Sequence, residues 1–360
     1  MGRPGPQNRI DIGCLLRIYT FYADYILVIN RFMEKNLIVI KNYCRYALYI
    51  IFHSRYPFSW KEHKANVESI DVAQKKIVYV CDGRLIQGGF ADRMKGLLTT
   101  YYEAKRRKVR FFISWEFPFD LRDFVMPADY DWRMCQEDVL YDYDKGFPVI
   151  ININSPYHII NIIKKYCFKH LLNGKRDKLV YTNMDYAKPL FRELYYELFK
   201  PTEYLQEKIN FHLSNIGTNY WSYTFRFGNM FNDFKDLVGY PLGEGELIDL
   251  LDKNINELRQ MLKDLPNGYK ALITSDSLYF LNRVEDVDDR IYIVKEQPMH
   301  PDFPDKSAAN KETWCKTFLD FYLIANAKRS FLLTTGQMYK SGFPVFASLI
   351  GNHKCEYHNF

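Results

Sequence analysis

Four stretches of this 360-residue chain carry residue types that can hold a phosphorylated ligand and act on it. The first is Gly88-Gly89-Phe90-Ala91-Asp92-Arg93-Met94-Lys95-Gly96, where glycines open a helix whose free backbone N–H groups can face an anion. The second, Thr224-Phe225-Arg226-Phe227-Gly228-Asn229, places one arginine beside a glycine, and a planar, permanently charged guanidinium suits a diphosphate. The third, Thr274-Ser275-Asp276-Ser277, offers a carboxylate at a strand end that can accept hydrogen bonds. The fourth, Thr334-Thr335-Gly336 through Ser341-Gly342-Phe343-Pro344, combines hydroxyls with a helix start. The first three also have an ordinary explanation. The glycines suit the first turn of any doubly wound domain, Arg226 a surface ion pair, and Asp276-Ser277 a helix N-cap.

The elements around these stretches decide whether they can act together. Ile77-Val78-Tyr79-Val80 has the length and β-branched content of a buried strand. Ala91 to Lys108 reads as a helix, with Met94, Leu97, Leu98, Tyr101 and Tyr102 at helical spacing and Lys105-Arg106-Arg107-Lys108 at its C-terminus, where the macrodipole favours cations. Val109 to Ile113 is a second strand. Further strands are expected at 147–153, 179–182, 221–227, 271–273, 291–294 and 331–334. Helices are expected at 157–172, 186–199, 203–213, 244–264, 311–327 and 343–350, with a short one from Ser277. Residues 118–145, rich in Asp and aromatics and weakly periodic, read as long loops. From Trp221 onward four β/α units follow one another, which means a parallel sheet covered on both faces. Ligands of such sheets sit beyond the carboxyl ends of the strands, which selects the loops after Phe227, Ile273, Val294 and Leu333. Three of the four stretches lie there.

In that order and placement the stretches resemble the fucosyltransferase superfamily, the GT-B enzymes that use GDP-fucose. Residues 88–96 are similar to its G-G-L-G-[DN]-[RQ]-x-x-G opening, with Ala91 in place of the fourth glycine. Residues 224–229 are similar to its H-x-R-x-G-[DN] motif: Arg226, Gly228 and Asn229 match, and Thr224 stands where the His would be. Residues 274–277 resemble its T-D-[DS] element, and a helix containing Asp320 followed by the 334–342 loop has the look of its last motif. The likeness covers residues 77 to about 107 and 220 to about 350. It implies an α/β GT-B fold of two Rossmann-like domains facing a cleft, divided as an N-terminal segment (1–75), an acceptor-side domain (76–215) and a nucleotide-sugar-binding domain (216–360).

The resemblance also implies roles. Arg226 would neutralise the diphosphate leaving from GDP-fucose, and Asp276 with Ser275 would hold the nucleotide. Thr334, Thr335, Gly336, Ser341 and Gly342 would line the phosphates, with Gly88, Gly89, Arg93, Thr224, Gly228 and Asn229 completing the donor site. Asp92 and Glu116 are candidates for the base from position only. Transfer would be inverting and the acceptor a glycan hydroxyl. The alternatives are a GT-B enzyme with another nucleotide sugar, or a non-catalytic nucleotide-binding or membrane-associated scaffold.

No cofactor or metal is expected. The D-x-D pairs Asp129/Asp131 and Asp286/Asp288 sit in polar loops, and only Val139-Leu140-Tyr141 before Asp142/Asp144 offers a short apolar lead-in. Three such pairs are unremarkable among 43 acidic residues and read as solvated, and the eight histidines show no ligand spacing. Hydrophobic content of 48% and charged content of 26% indicate a folded chain. Seven cysteines, an odd number with no C-x-x-C, argue for a reducing compartment. Of 49 Lys+Arg and 43 Asp+Glu, residues 1–65 hold 10 and 4, leaving 39 of each elsewhere, so the body is neutral and nucleic acid is not an expected partner. Residues 10–55 are apolar but interrupted by charge, too short in any one run to span a membrane. They read as helices that pack on the body or a second subunit, or as a basic hairpin on an anionic surface, with the protein at the cytoplasmic face.

Overall fold

The computed structural model describes residues 75–134, 139, 146–152, 158–236, 239–304 and 310–360. The N-terminal segment, Asp142-Tyr143-Asp144, the expected strand end at Ile153 and the expected helix start at Tyr157 lie outside the described residues. All described residues belong to one compact unit spanning 58–360.

The chain enters through β1 (Lys76–Cys81), whose six residues are all buried, as a strand covered on both faces requires. A Gly-rich loop leads to α1 (Phe90–Arg107), which buries the expected Met94, Leu97, Leu98 and Tyr101. It ends on Lys108 in the left-handed region (φ 55°), and the chain turns directly into β2 (Arg110–Trp115). After β3 (Val125–Pro127) come β4 (Gly146–Ile151), α2 (His158–Leu171) and β5 (Asp177–Thr182). Then α3 (Phe191–Leu198), β6 (Phe199–Pro201) and α4 (Glu203–Ile216) follow. The first sheet is fully parallel in the order β2-β1-β5-β4, and β3 pairs with β6 as a small antiparallel ribbon.

The second sheet begins with β7 (Tyr220–Phe225). It continues through α5 (Glu244–Lys263), β8 (Lys270–Ser275), α6 (Leu278–Val284) and β9 (Ile291–Ile293). Then come α7 (Lys311–Asn326), β10 (Arg329–Thr334), α8 (Phe343–Ile350) and β11 (Cys355–Asn359). All its pairings are parallel in the order β11-β10-β7-β8-β9. The order reverses between β7 and β10, which opens a crevice at their carboxyl ends.

Several elements differ from the sequence expectation for local reasons. The strand expected to run to Phe227 stops at Phe225, because the Phe227 N–H bonds Asp276 instead of a neighbouring strand. The helix expected from Tyr186 starts at Phe191, after a 3₁₀ turn (Lys188–Leu190) that contains Pro189. Helix α4 runs on to Ile216, where Gly217 at φ 81° stops it. Strand β11 and the β3–β6 ribbon were not expected.

Helix α7 is the seam of the unit, buried from Trp314 through Ala325. Phe318 stacks on Phe124 with ring centroids 4.5 Å apart, and Phe90 of α1 meets Phe318 and Phe321 edge-on at 4.9 and 5.2 Å. Tyr195 donates to the Tyr322 hydroxyl at 2.8 Å. One core cluster therefore runs from the first sheet through α7 and α8, while a second lies between the other face of the second sheet and α5 and α6.

Candidate active site

The glycine loop is shaped by close approaches. Gly88 has φ +86°, and a Cβ there would lie 2.7 Å from Asp92 Oδ2. At Gly96 a Cβ would lie 1.7 Å from the Thr182 carbonyl oxygen, so only glycine lets α1 rest on the end of β5. Arg93 is 1% exposed. Its Nε donates to Gly88 O (3.1 Å), Nη1 to Phe117 O (2.9 Å) and Nη2 to Asp302 Oδ1 (2.7 Å). Asp302 also accepts from the Gln87 and Gly88 N–H groups at 3.2 and 2.7 Å. Arg93 is thus committed to holding the loop against the 300–303 turn of the second half. Asp92 pairs with Lys95 one helical turn on. Ala91 is buried.

Arg226 leaves the end of β7 into the crevice. It is ion-paired with Asp236, its Nη1 lies 3.1 Å from Asp276 Oδ2, and its guanidinium sits 4.5 Å over the Phe234 ring. Asp276 is 4% exposed and accepts from the Phe227 and Gly228 N–H groups at 2.9 and 2.7 Å. Its two oxygens hold the turn that carries Arg226, and burial pushes its carboxyl up against the opposing pull of Arg226. Gly228, at φ 63°, completes the turn. Asn229 brackets Asp236, accepting its N–H at 3.0 Å and donating to its carbonyl, so the 229–236 loop presents Asp236 to Arg226.

The other motif residues divide between the crevice and its scaffold. Thr224 shares a 2.8 Å hydrogen bond with Thr274 across β7 and β8, inside the sheet. Ser275 Oγ accepts from the Ser277 N–H, and Ser277 caps α6 while donating to Asp233 Oδ2 at 2.8 Å. Thr334 donates to the Tyr357 hydroxyl and Thr335 to Phe360 O, with Lys253 on Thr335 at 2.6 Å, so both hydroxyls tie down the β11 side. Gly336, at φ +54°, faces open space. The following turn meets Arg226 directly, the Tyr339 N–H donating to Arg226 O at 3.2 Å. Ser341 Oγ accepts from the Phe343 N–H, and Gly342 precedes the first turn of α8.

Sequence reasoning missed Asp236, Asp302 and His300. His300 Nδ1 accepts from the Asp302 N–H at 3.1 Å, which leaves the proton of the neutral ring on Nε2. That nitrogen lies 4.0 Å from Asp236 Oδ1 and 3.6 Å from where a Cβ on Gly89 would stand. Burial, aided by Arg226 and Arg93, pulls the imidazole down to about 3, so it is neutral at pH 7. His300 therefore joins the glycine loop of the first half to the Arg226–Asp236 pair of the second. Tyr339, 45% exposed, follows on the turn whose N–H meets Arg226, its hydroxyl raised by partial burial and then by Asp92.

Glu116 stands apart beyond β2, with Arg122 Nη2 at 3.6 Å. Of the D-x-D pairs, Asp131 is bonded to Arg133 and Asp288 to Arg290, and each arginine holds its carboxyl down to about 2. Among the described residues no group of three or more His, Cys, Asp and Glu side chains could hold a metal ion.

Two parallel sheets whose carboxyl-end loops meet through Arg93 and Asp302 make an α/β fold of the GT-B kind. Fucosyltransferase NodZ from Bradyrhizobium, in its selenomethionine form, matches with a TM-score of 0.50 and 14% identity over 77% of this chain and 92% of that one. NodZ α-1,6-fucosyltransferase co-crystallised with GDP matches at 0.49 and 14%, over 77% and 92% of the two chains. POFUT1 in complex with GDP matches at 0.43 and 8%, over 81% and 99%. At these identities the likeness is one of fold. No protein-family model and no curated sequence matches the chain.

Proposed function

We propose that the chain is a glycosyltransferase, and within that class an inverting, metal-independent fucosyltransferase that moves fucose from GDP-fucose to a glycan hydroxyl. The observation that carries this is Arg226, a fixed cation at the switch point of the second sheet, opposite the Gly88-Gly89 loop of the first. When a sugar leaves a nucleoside diphosphate, negative charge builds on the β-phosphate, and without a metal a fixed cation must meet it. Two of the five N–H donors of Arg226 engage Asp236 and Asp276, which leaves others for a phosphate oxygen. Asp276, with both oxygens on the turn, positions Arg226. Residues 76–215 would form the acceptor side and 216–360 the donor side. The fold likeness to NodZ and the order of the four motif stretches support fucose over other sugars. The scattered cysteines favour a cytoplasmic enzyme, with residues 10–55 attaching it to a membrane face or to a second subunit.

The test is a thermal-shift panel with GDP, UDP, CDP and dTDP, because a specific ligand raises the melting temperature by mass action. Stabilisation by GDP alone is expected, followed by turnover of GDP-fucose that excess EDTA leaves unchanged. A preference for UDP would end the fucose reading and keep the glycosyltransferase one. Silence toward every nucleotide would favour a scaffold, and strict dependence on Mg²⁺ or Mn²⁺ would reopen Asp142 and Asp144.

A further inference from the structure

Gly89 is not explained by its own backbone. It caps the N-terminus of α1 at φ −67° and ψ 178°, a conformation open to any residue. Nor does crowding demand it. Among the described residues, and chain neighbours aside, a Cβ on Gly89 would meet within 4 Å only His300 Nε2, at an ordinary contact distance of 3.6 Å. Gly88 differs on both counts, with its φ of +86° and Asp92 pressed against it. What the missing side chain of Gly89 provides is room in front of His300.

His300 brings a hydrogen-bond donor to that room. The residue is 8% exposed, and its Nδ1 is taken by the Asp302 N–H at 3.1 Å, so the proton of the neutral ring sits on Nε2. Among the described residues this N–H makes no hydrogen bond. Asp236 Oδ1 stands 4.0 Å from Nε2, beyond direct bonding reach. A buried donor left without an acceptor is costly, so the arrangement suits an acceptor that arrives from outside. Both groups are held in place: Asp302 orients the ring, and Arg226 pairs with the other oxygen of Asp236.

A donor and a carboxylate oxygen at this separation fit one oxygen between them, since an oxygen about 2.8 Å from each bonds to both. That oxygen must accept from Nε2 and donate to Oδ1. A phosphate oxygen has no proton to give and is repelled by the carboxylate. A hydroxyl does both. A carboxylate oxygen carries two lone pairs, so Oδ1 can take this bond beside any other it makes. Because Asp236 is the ion-pair partner of Arg226, a diphosphate on the remaining N–H groups of Arg226 brings its attached sugar within reach of the same carboxylate. We propose that His300 Nε2 and Asp236 Oδ1 together hold one hydroxyl of the sugar of a nucleotide sugar, in the space that Gly89 leaves open. This assignment rests on Arg226 binding the donor's diphosphate.

Titration calorimetry of the full-length protein with GDP and with GDP-fucose separates the sugar from the nucleotide. His300→Asn keeps a side-chain oxygen for the Asp302 N–H and removes the donor at Nε2, whereas His300→Gln keeps an N–H close to that position. His300→Asn should leave GDP binding unchanged and shift the ratio of the two affinities about tenfold toward GDP, the effect of one lost hydrogen bond. His300→Gln should restore much of the ratio, which a purely structural role for the ring would not predict. Gly89→Val, which fills the space and leaves the imidazole intact, should shift the ratio in the same direction, and thermal melts check that each variant folds. An unchanged ratio in His300→Asn overturns the inference and leaves only a water between His300 and Asp236. Equal weakening of GDP and GDP-fucose overturns it in favour of a contact to the diphosphate. Wild-type protein that binds neither ligand fails the glycosyltransferase reading itself, and the inference falls with it.

Discussion

Arg226 is held from three sides, by Asp236, by Asp276 and by the ring of Phe234. A guanidinium fixed in this way needs no reorganisation when charge appears on a leaving phosphate, which is what makes such a cation effective. Arg226→Ala should therefore lower kcat/KM for GDP-fucose about a hundredfold, or roughly 3 kcal/mol, while circular dichroism stays unchanged. Arg226→Lys should recover little, because a point charge cannot reach both carboxylates and a phosphate with one fork. A folded Arg226→Ala protein with near-normal turnover would remove the residue from the mechanism. His300 yields a second prediction at this scale. Its folded pKa of about 3 lies below the unfolded value of about 6.5, so its contribution is full above that value and lost as the pH falls toward 3. The loss reaches at most about 1.4 kcal/mol per pH unit. Buried Asp276 and Asp302, both shifted up, act in the opposite sense, so the useful quantity is the stability gap between wild type and His300→Gln. In urea titrations that gap should narrow from pH 7 to pH 5. A constant gap would mean that the ring is charged in the folded state.

Helix α1 depends on one position more than on its apolar stripe. An alanine at Gly96 would gain up to about 1 kcal/mol of helix propensity, yet its methyl would enter the Thr182 carbonyl at the carboxyl end of β5. Gly96→Ala should therefore destabilise by about 1–3 kcal/mol through forced displacement of the helix, read as a lower urea midpoint at unchanged slope. Elements whose information is local were legible in the sequence. The spacing of Leu247, Leu251, Ile255, Leu258 and Leu262 marks α5 to within a residue of its observed Glu244–Lys263. Strand β11 was not legible, because an edge strand paired only to β10 needs no apolar run and Cys355-Glu356-Tyr357-His358-Asn359 has none. The crevice was legible at Arg226 and at Gly88, where a motif sits on a strand end. Asp236, His300 and Asp302 lie in loops without period, and Asp302 meets Arg93 across 209 residues of chain, a pairing no local pattern encodes.

At the scale of the molecule, the two sheets are joined apolarly through Phe90 on Phe318 and Phe321, and by charge through Arg93 and Asp302. The charged joint is enclosed, with side chains 1% and 2% exposed, so neither ion has water to fall back on. Such a pair adds little over a well-packed apolar one, but losing half of it strands the other charge in a low-dielectric site. Asp302→Leu should cost about 3–5 kcal/mol, and it also removes the acceptor for the Gln87 and Gly88 N–H groups. Arg93→Met combined with Asp302→Leu should regain a substantial part of that loss, because no ion is left unpaired. Urea unfolding of the two single variants and the double variant closes the cycle, and a coupling near zero would mean that the halves are held by the aromatic seam alone. Because the same aspartate fixes the N–H of Gly88, the double variant should recover stability without recovering transfer: the loop facing Arg226 would be folded but no longer held in place.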